Sequence, residues 1–365
     1  MSLLELKSAP TDSPRVAASL ERLVRTRRIA LGLMALGALV ALVLSCSIGA
    51  YAIAPGRVVE ILSTWGGAAG GDALPPDAAV LLGIRLPRAL FALVVGAGLG
   101  VAGAVLQGLF RNPLADPALI GVSSGSAAGA VLALLMVPAG VGLGSAGPVA
   151  VGALAGGLVA VFSVYRLATR AGHTSMVNML LFGIAVNTLA GAVIGVVVFA
   201  ADEAQLRSIT LWMMGSLAGG GWYVLCLTGG LTLIGVLALA RKADDLNAFC
   251  LGEAQARHLG VDVAPLKRSA IAWCTLIVAA GVAFSGMIAF VGLVVPHLVR
   301  LFMGPDHRAV LPGSALLGAC LLVLADTLAR IALAPAELPI GLVTSLIGAP
   351  FLIALLASRT TEVSR

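Results

Sequence analysis

The chain has 365 residues, of which 59% are hydrophobic and only 11% are charged, and its formal net charge is +6. This composition excludes an ordinary soluble protein, because so much apolar surface is stable only in a bilayer. The positive charge does not indicate nucleic-acid binding, because the basic residues neither cluster on one face nor alternate with aromatic residues. We therefore expect one integrated membrane domain.

Stretches without a charged side chain predict the membrane-spanning helices in chain order. A spanning helix needs about 20 apolar residues, and an ionised side chain at mid-membrane costs roughly 2.5–3.5 kcal/mol. The uncharged stretches cover residues 29–56, 89–110, 117–165, 171–201, 208–240, 269–299, 309–325 and 338–358. The stretch 117–165 is long enough for two helices, and 269–299 holds most of two, divided near Ser285 and Gly286. The sequence thus predicts an all-α integral membrane protein with about ten transmembrane helices in one compact bundle.

The distribution of basic residues predicts the orientation. If both termini are cytoplasmic, all but five of the 23 Lys and Arg residues face the cytoplasm, as the positive-inside rule requires. The five on the outer side are Arg57, Arg85, Arg88, Arg207 and Arg330.

Domain boundaries follow from the same pattern. We predict a cytoplasmic N-terminal tail at residues 1–28, a membrane domain at residues 29–357 and a cytoplasmic C-terminal tail at residues 358–365.

Catalytic chemistry is poorly supported. None of the three lysines follows a GxxxxGK pattern, so we expect no P-loop and no ATP hydrolysis by that route. The four histidines form no metal-binding pattern, and we expect no metal site. An intramembrane enzyme would need a nucleophile and a base, and a proton-coupled carrier would need titratable groups near mid-membrane; the sequence favours neither.

Glycines at four-residue spacing predict close packing between helices, because small residues let two backbones approach in lipid. The pairs are Gly96/Gly100, Gly125/Gly129, Gly152/Gly156 and Gly215/Gly219. Three polar residues, Gln107, Asn178 and Asn187, lie in or near the predicted helices. They either line a pathway or make hydrogen bonds between helices, and the sequence leaves both readings open.

Three polar blocks interrupt the apolar background. The first comprises RLPR at residues 85–88, RNPLADP at 111–117 and GVSSG at 121–125; the second is LGEAQARHLG at 251–260; the third runs from PHLVR at 296–300 to ELPIG at 337–341. At these blocks the sequence resembles the permease subunits of bacterial type II ABC importers for iron-siderophores, heme and cobalamin (the FecCD-like family), over about residues 30–357.

The resemblance implies an assembly in the bacterial inner membrane. It would contain a second copy of this permease, two cytoplasmic ATP-binding cassette subunits and a periplasmic binding protein for heme or an iron chelate. This chain would bind no cofactor, because ATP and Mg²⁺ would bind to the ATPase subunits.

The resemblance assigns the outer arginines Arg85, Arg88 and Arg330 to docking of the binding protein. Two other interpretations remain open. Arg85 and Arg88 would also suit anchoring at the membrane interface, and Arg330 follows Asp326 at the spacing of an ion pair within one helix.

The LGEAQARHLG block corresponds to the coupling helix that contacts the ATPase. The residues assigned to it are Leu251, Gly252, Glu253, Ala256, Arg257, His258, Leu259 and Gly260. Its helical amphipathicity, with Leu251, Ala254 and Leu259 on one side, is also compatible with a helix lying at the membrane interface.

The resemblance also implies gates and a pathway. The cytoplasmic gate would comprise Asn112, Leu114, Thr174, Ser175, Met176 and Val177. The translocation path would follow the helix at about residues 177–199 and include Asn178, Asn187 and Arg207. Arg207 would help to admit an anionic ligand, or would pair with Asp202 or Glu203.

The segment from Leu206 to Trp212 looks most like heme permeases, so we expect heme as the ligand. Ferric siderophore and cobalamin remain alternatives within the same importer class. The rival from another class is an ion-coupled secondary transporter.

Overall fold

The computed structural model of the chain describes residues 14–49, 51–65, 74–136 and 146–363. Its helices are α1 Pro14–Ser47, α2 Pro55–Thr64, α3 Pro76–Val80, α4 Leu86–Phe110, α5 Val122–Met136, α6 Ala146–Ala168, α7 Met176–Ala200, α8 Glu203–Met214, α9 Trp222–Ala240, α10 Ala243–Cys250, α11 Glu253–His258, α12 Val263–Ser285, α13 Val291–Met303, α14 His307–Ile331 and α15 Ile340–Val363. A π-helical turn, Leu81–Arg85, joins α3 to α4, and a 3₁₀ turn, Pro117–Ile120, precedes α5. Strands β1 (Thr169–Arg170) and β2 (His173–Thr174) form a small antiparallel hairpin between α6 and α7.

The prediction of about ten transmembrane helices is confirmed. Within the described residues, seven helical segments are long and apolar enough to cross a membrane, and three shorter apolar helices accompany them. The seven are Val24–Ser47, Pro76–Phe110, Gly147–Ala168, Met176–Ala200, Trp222–Ala240, Val263–Ser285 and His307–Ile331; the three are Val122–Met136, Val291–Met303 and Ile340–Leu355.

The two longest uncharged stretches divide as predicted. Residues 117–165 contain α5 and α6, and residues 269–299 contain most of α12 and α13. The second division falls at Gly286, which has a positive φ of 66° and ends α12.

Helix α4 lies at the centre of the bundle, where the side chains from Val101 to Leu106 are fully buried or nearly so. It packs against α9, α12, α13 and α14. Its contact with α14 is so close that a Cβ at Gly96 would overlap the backbone carbonyl of Gly318, and one at Gly100 that of Ser314.

A second close contact joins α5 and α6, where the Gly125/Gly129 pair faces the Gly152/Gly156 pair. Three of the four predicted glycine pairs therefore pack helices together. The fourth does not: Gly215 has a φ of 76° and ends α8, and Gly219 lies in the loop before α9. The four-residue spacing there falls on a chain turn and not on a helix face.

Helix α1 continues through residue 28 without a break, so the predicted boundary between tail and membrane domain is not marked by a helix end. Arg27 fixes this part of α1 to the turn between α13 and α14. Its guanidinium donates to Asp306 Oδ2 at 2.7 Å and to the carbonyl oxygen of Met303 at 3.1 Å. The domain boundaries themselves stay predictions, and parts of both predicted tails lie outside the described residues.

Candidate functional sites

The block predicted to couple to an ATPase folds as a short helix on the cytoplasmic side. Helix α11 is flanked by two glycines with positive φ, Gly252 at 132° and Gly260 at 87°. Other residues rarely adopt this conformation. Ala256 is its one buried side chain. Leu251 and Leu259, at the two ends, are 67% and 64% exposed. The leucines expected on the buried side of an interfacial helix are therefore free to contact another surface.

Helix α10 attaches this region to the bundle. Its side chains Leu246 and Phe249 are fully buried. The Phe249 ring lies between two cations, with Lys267 Nζ at 5.6 Å and Arg111 Cζ at 5.8 Å from the ring centroid. Arg111 ends α4 in the left-handed conformation, immediately before the predicted gate residue Asn112.

Glu253, the first residue of α11, binds two cations. Lys267 Nζ lies 2.6 Å from its Oε2, and Arg257 Nη2 lies 2.9 Å from its Oε1. Burial raises the pKa of Glu253, but the hydrogen bonds and charges of Lys267 and Arg257 outweigh it and hold the pKa below its usual range. Lys267 also donates to the carbonyl oxygen of Thr174 at 2.8 Å.

The predicted gate residues Thr174 to Val177 span the end of the hairpin and the start of α7. Thr174 is buried, and its hydroxyl lies 2.9 Å from that of Thr169 across the hairpin. Ser175 caps α7 by accepting a hydrogen bond from the amide of Asn178. Val177 is 68% exposed. The sequence did not indicate the hairpin, because two-residue strands leave no periodic pattern.

The other predicted gate segment forms a tight turn. The side-chain oxygen of Asn112 accepts from the amide of Leu114 at 3.0 Å, and that of Asp116 accepts from the amide of Ala118 at 2.8 Å. Burial raises the pKa of Asp116. Both acceptors hold the chain in the reversal between α4 and α5. This segment lies next to α10 through Arg111 and Phe249, while the Thr174 segment contacts Lys267.

The predicted pathway residues are spaced along α7 and α8 and do not converge in one pocket. Asn178 is exposed near the inner end of α7. Asn187 is half-buried and donates to the carbonyl oxygen of Ala118 at 3.0 Å. Gln107 likewise bonds between helices, since it donates to the carbonyl oxygen of Leu293 at 3.1 Å and accepts from Arg300. In this conformation Asn187 and Gln107 therefore make hydrogen bonds between elements of the bundle.

Arg207 lies on α8, which begins three residues after α7 ends at the outer side. A capping box fixes the start of α8: Asp202 Oδ1 accepts from the Gln205 amide, and the Gln205 side chain accepts from the Asp202 amide. Arg207 itself is exposed and makes no hydrogen bond or ion pair within the described part of the chain. The expected pairing with Asp202 or Glu203 is therefore not observed.

The three outer arginines lie near one another, and their side chains are largely buried. Arg88 contacts Asp326 at 2.9 Å and Glu337 at 3.0 Å. Arg330 pairs with Asp326 at 3.3 Å, as its spacing indicated, and donates to Ser45.

Arg85 bonds to backbone only. It donates to the carbonyl oxygens of Cys46 at 2.8 Å and Ser47 at 3.1 Å, and to that of Tyr51. The docking role of Arg85, Arg88 and Arg330 stays a prediction. In this conformation all three guanidinium groups already bind partners within the chain.

Sequence reasoning gave no role to Lys267 or Phe249. Lys267 was counted only among the cytoplasmic basic residues, and Phe249 was not distinguished from other apolar residues. One signal was available for Lys267: it lies at the start of an apolar helix, where a lysine needs partners if its ammonium is buried.

Comparison with known proteins identifies the family. The family model described as the FecCD transport family matches residues 37–358. The chain belongs to the FecCD transport family. It is 45% identical to the hemin transport system permease protein HmuU of Yersinia pestis over 288 residues, which cover 78% of this chain and 85% of that protein.

A cobalamin permease is equally similar. The cobalamin import system permease protein BtuC of Halobacterium salinarum is 46% identical over 287 residues, covering 78% of this chain and 76% of that protein. Among solved structures, an inward-facing metal-chelate type ABC transporter matches with a TM-score of 0.78 and 34% identity, covering 90% of this chain and 98% of the other.

Family membership and the fold together establish the general role. The chain is a multi-pass permease subunit of a type II ABC importer in the bacterial inner membrane. The cytoplasmic location of both termini stays a prediction. In this family the permease is dimeric, and a separate ATPase and a binding protein complete the transporter.

Proposed function

We propose that this permease imports heme from the periplasm. It would act as a homodimer with two ATP-binding cassette subunits and a periplasmic heme-binding protein. The observation that carries the choice of ligand is Arg207, an exposed arginine without an ion-pair partner in the described structure. It lies on α8, which follows the outer end of α7, the helix predicted to line the path. Heme has two carboxylates, and an arginine guanidinium matches carboxylate geometry. The 45% identity to a hemin permease supports the same choice.

Cobalamin import is the second candidate, because a cobalamin permease is 46% identical to this chain. The amide side chains of cobalamin do not need a cation for recognition. The two ligands therefore predict different consequences for Arg207. Ferric siderophores with carboxylates would behave as heme does in this respect.

The test is ATP-driven uptake into proteoliposomes that contain the complete transporter and its binding protein, with heme and cyanocobalamin supplied separately. We expect heme uptake, and Arg207→Gln should lower it by up to about five-fold, since one exposed ion pair contributes roughly 0.2–1 kcal/mol. Arg241→Gln, at an exposed arginine on the opposite side of the membrane, is the charge-matched control and should not change uptake.

Two outcomes would contradict this proposal. Cobalamin uptake that does not respond to Arg207→Gln, without heme uptake, would favour the second candidate. Uptake that continues without the ATPase subunits and stops with a protonophore would indicate an ion-coupled secondary transporter.

We further propose that α11 is the contact with the ATPase. Its support is the exposure of Leu251 and Leu259 beside the polar residues Glu253, Arg257 and His258. Burying a leucine side chain at an interface contributes on the order of 1.5–3 kcal/mol. This chain would bind no cofactor of its own, and ATP and Mg²⁺ would bind to the ATPase subunits.

The double substitution Leu251→Ser/Leu259→Ser tests this contact. It should weaken the affinity for the ATPase at least about tenfold. The reason is that the leucine burial lost is worth more than about 1.4 kcal/mol, the energy that corresponds to a factor of ten in affinity. Leu333→Ser, at an exposed leucine in the loop between α14 and α15, is the control. Unchanged affinity of the double variant in an otherwise folded permease would reject the assignment.

The cytoplasmic gate would comprise Asn112 and Leu114 on one side and the segment from Thr174 to Val177 on the other. Its support is that both segments adjoin the α10–α11 region, the first through Arg111 and Phe249 and the second through Lys267. Nucleotide-driven movement of α11 would then have physical contact with each gate segment.

A further inference from the structure

Lys267 is a buried cation that joins three elements. It lies near the start of α12, and its side chain is 3% exposed. Its ammonium donates to Glu253 Oε2 of α11 at 2.6 Å and to the carbonyl oxygen of Thr174 in the hairpin at 2.8 Å. A buried ammonium is stable only when its donors are satisfied. Both acceptors therefore offset the cost of burying this ammonium group.

The two acceptors belong to elements with little packing of their own. Helix α11 buries only Ala256 and is connected through Gly252 and Gly260, whose positive φ values mark sharp changes of chain direction. The hairpin consists of two two-residue strands, and its Thr174 leads directly into α7. Lys267 is a polar contact common to both elements.

The side-chain chemistry suits a link between moving parts. A lysine has a flexible stem and three donors on one atom, so it can hold acceptors from two different elements and follow them over short distances. If α11 moves, it carries Glu253 with it. The Lys267 ammonium then either follows Glu253 and loses its hydrogen bond to the carbonyl oxygen of Thr174, or stays in place and loses its ion pair with Glu253. Each alternative leaves a buried group without a partner, so the positions of α11 and the hairpin are energetically coupled.

We propose that Lys267 is a positioning residue that transmits the displacement of α11 to the hairpin, and thereby to the start of α7 at the cytoplasmic gate. The inference rests on the proposed coupling role of α11. It goes beyond that role because it names the residue through which the movement reaches the gate and the contact, Lys267 to the carbonyl oxygen of Thr174, that receives it.

Hydrogen exchange tests the proposal on the complete transporter in nanodiscs, with and without ATP and vanadate. In the wild-type protein both α11 and residues 169–178 should change their amide exchange when nucleotide is trapped. The variant Lys267→Met keeps an unbranched side chain of similar length and removes the charge. In this variant the amide exchange of α11 should still change when nucleotide is trapped, and that of residues 169–178 should not. Transport per ATP hydrolysed should fall about tenfold, a coupling of the usual allosteric size.

Three further variants complete the design. Arg268→Met removes the next cation of the chain, which is exposed, and should behave as wild type. Lys267→Arg retains a charged donor and should restore part of the hairpin response. If Lys267→Met does not assemble, Glu253→Gln removes the charge at the other end of the contact and should likewise reduce the response of residues 169–178.

The outcomes separate the two proposals. A hairpin response in Lys267→Met equal to that of the wild type would overturn the role of Lys267, and would direct attention to the contact of Phe249 with Arg111. Absence of any response of α11 in the wild-type complex would overturn the coupling assignment, and this inference with it.

Discussion

The outer and inner ends of this permease each contain a buried cation bound to a carboxylate, but the elements that hold the pairs differ. At the outer end Arg88 of α4 binds Asp326 of α14, on two long helices that touch backbone to backbone at Gly96 and Gly318. At the inner end Lys267 binds Glu253 of α11, a helix of six residues. The same interaction therefore joins two long, closely packed helices at one end and, at the other, a short helix that buries a single side chain.

We expect the packing of the elements to decide what each ion pair does. Breaking a buried pair by removing one partner costs about 3–5 kcal/mol. Between α4 and α14 that energy stabilises one arrangement of helices. The inner pair is weaker, because Glu253 is 35% exposed, and it makes the position of α11 depend on that of the hairpin. Substitutions at the outer end should thus affect stability, and those at the inner end should affect coupling.

The largest effect is expected from Gly96→Leu. A side chain at this position would overlap the carbonyl of Gly318 and the Leu322 side chain, so α4 and α14 would have to move apart, and the outer ion pairs would be lost with them. Overpacking alone costs about 1–3 kcal/mol. We expect no folded protein, or a much lower midpoint of thermal unfolding in detergent. Gly32→Leu, where a Cβ would meet nothing within 4 Å, is the control; equal midpoints for the two variants would refute the close contact.

Arg88→Met should come next, with a loss of about 3–5 kcal/mol of stability, because Asp326 is 1% exposed and would keep only Arg330 as a charged partner. Adding Asp326→Leu should restore much of the loss, since no unpaired carboxylate then remains buried. The measurement is thermal unfolding of the purified permease. Arg57→Met, which removes an exposed pair with Glu60 and Asp77, should have a far smaller effect. No recovery in the double variant would show that the pair is not the source of the loss.

Glu253→Gln sharpens the comparison from the inner end. Because Glu253 is 35% exposed and Lys267 would retain Thr174 as an acceptor, thermal stability should change by less than about 1 kcal/mol. Transport per ATP hydrolysed should nevertheless fall several-fold. A loss of stability as large as that of Arg88→Met, with unchanged transport per ATP hydrolysed, would contradict the expected difference between the two ends.

The smallest effect is expected from pH. The pKa of Glu253 is lowered in the folded protein by its two cationic partners. The stabilisation that these ion pairs provide is therefore complete above the ordinary glutamate pKa, and it is lost only as the pH falls through the lowered pKa. The amount of transport per ATP hydrolysed should therefore be constant between roughly pH 6 and pH 8, because glutamate is ionised there in both the folded and the unfolded protein. The ratio of transport to hydrolysis at the two pH values measures this. A steep change across that range would mean that another group controls the contact.

The hydropathy pattern of the sequence predicts the class of protein and, within a small margin, the number of helices, and both are confirmed. The distribution of basic residues predicts the orientation. The bilayer imposes these properties residue by residue: each span must be long, apolar and hydrogen-bonded within itself, and basic residues remain on the cytoplasmic side. The glycine pairs on α4, α5 and α6 were recognisable for the same reason, since small residues at helical spacing are a local signal.

Which polar side chains meet is visible only in the folded bundle. Arg85 bonds to carbonyl groups nearly forty positions earlier in the chain, and Lys267 reaches Thr174 of a hairpin that no pattern indicated. Gly215 and Gly219 have the spacing of a packing pair but lie at a turn. The physical reason is that a hydrogen-bond partner depends on which helices are neighbours and where their ends fall. Those positions result from packing of the whole bundle, and the hydropathy of a segment does not contain them.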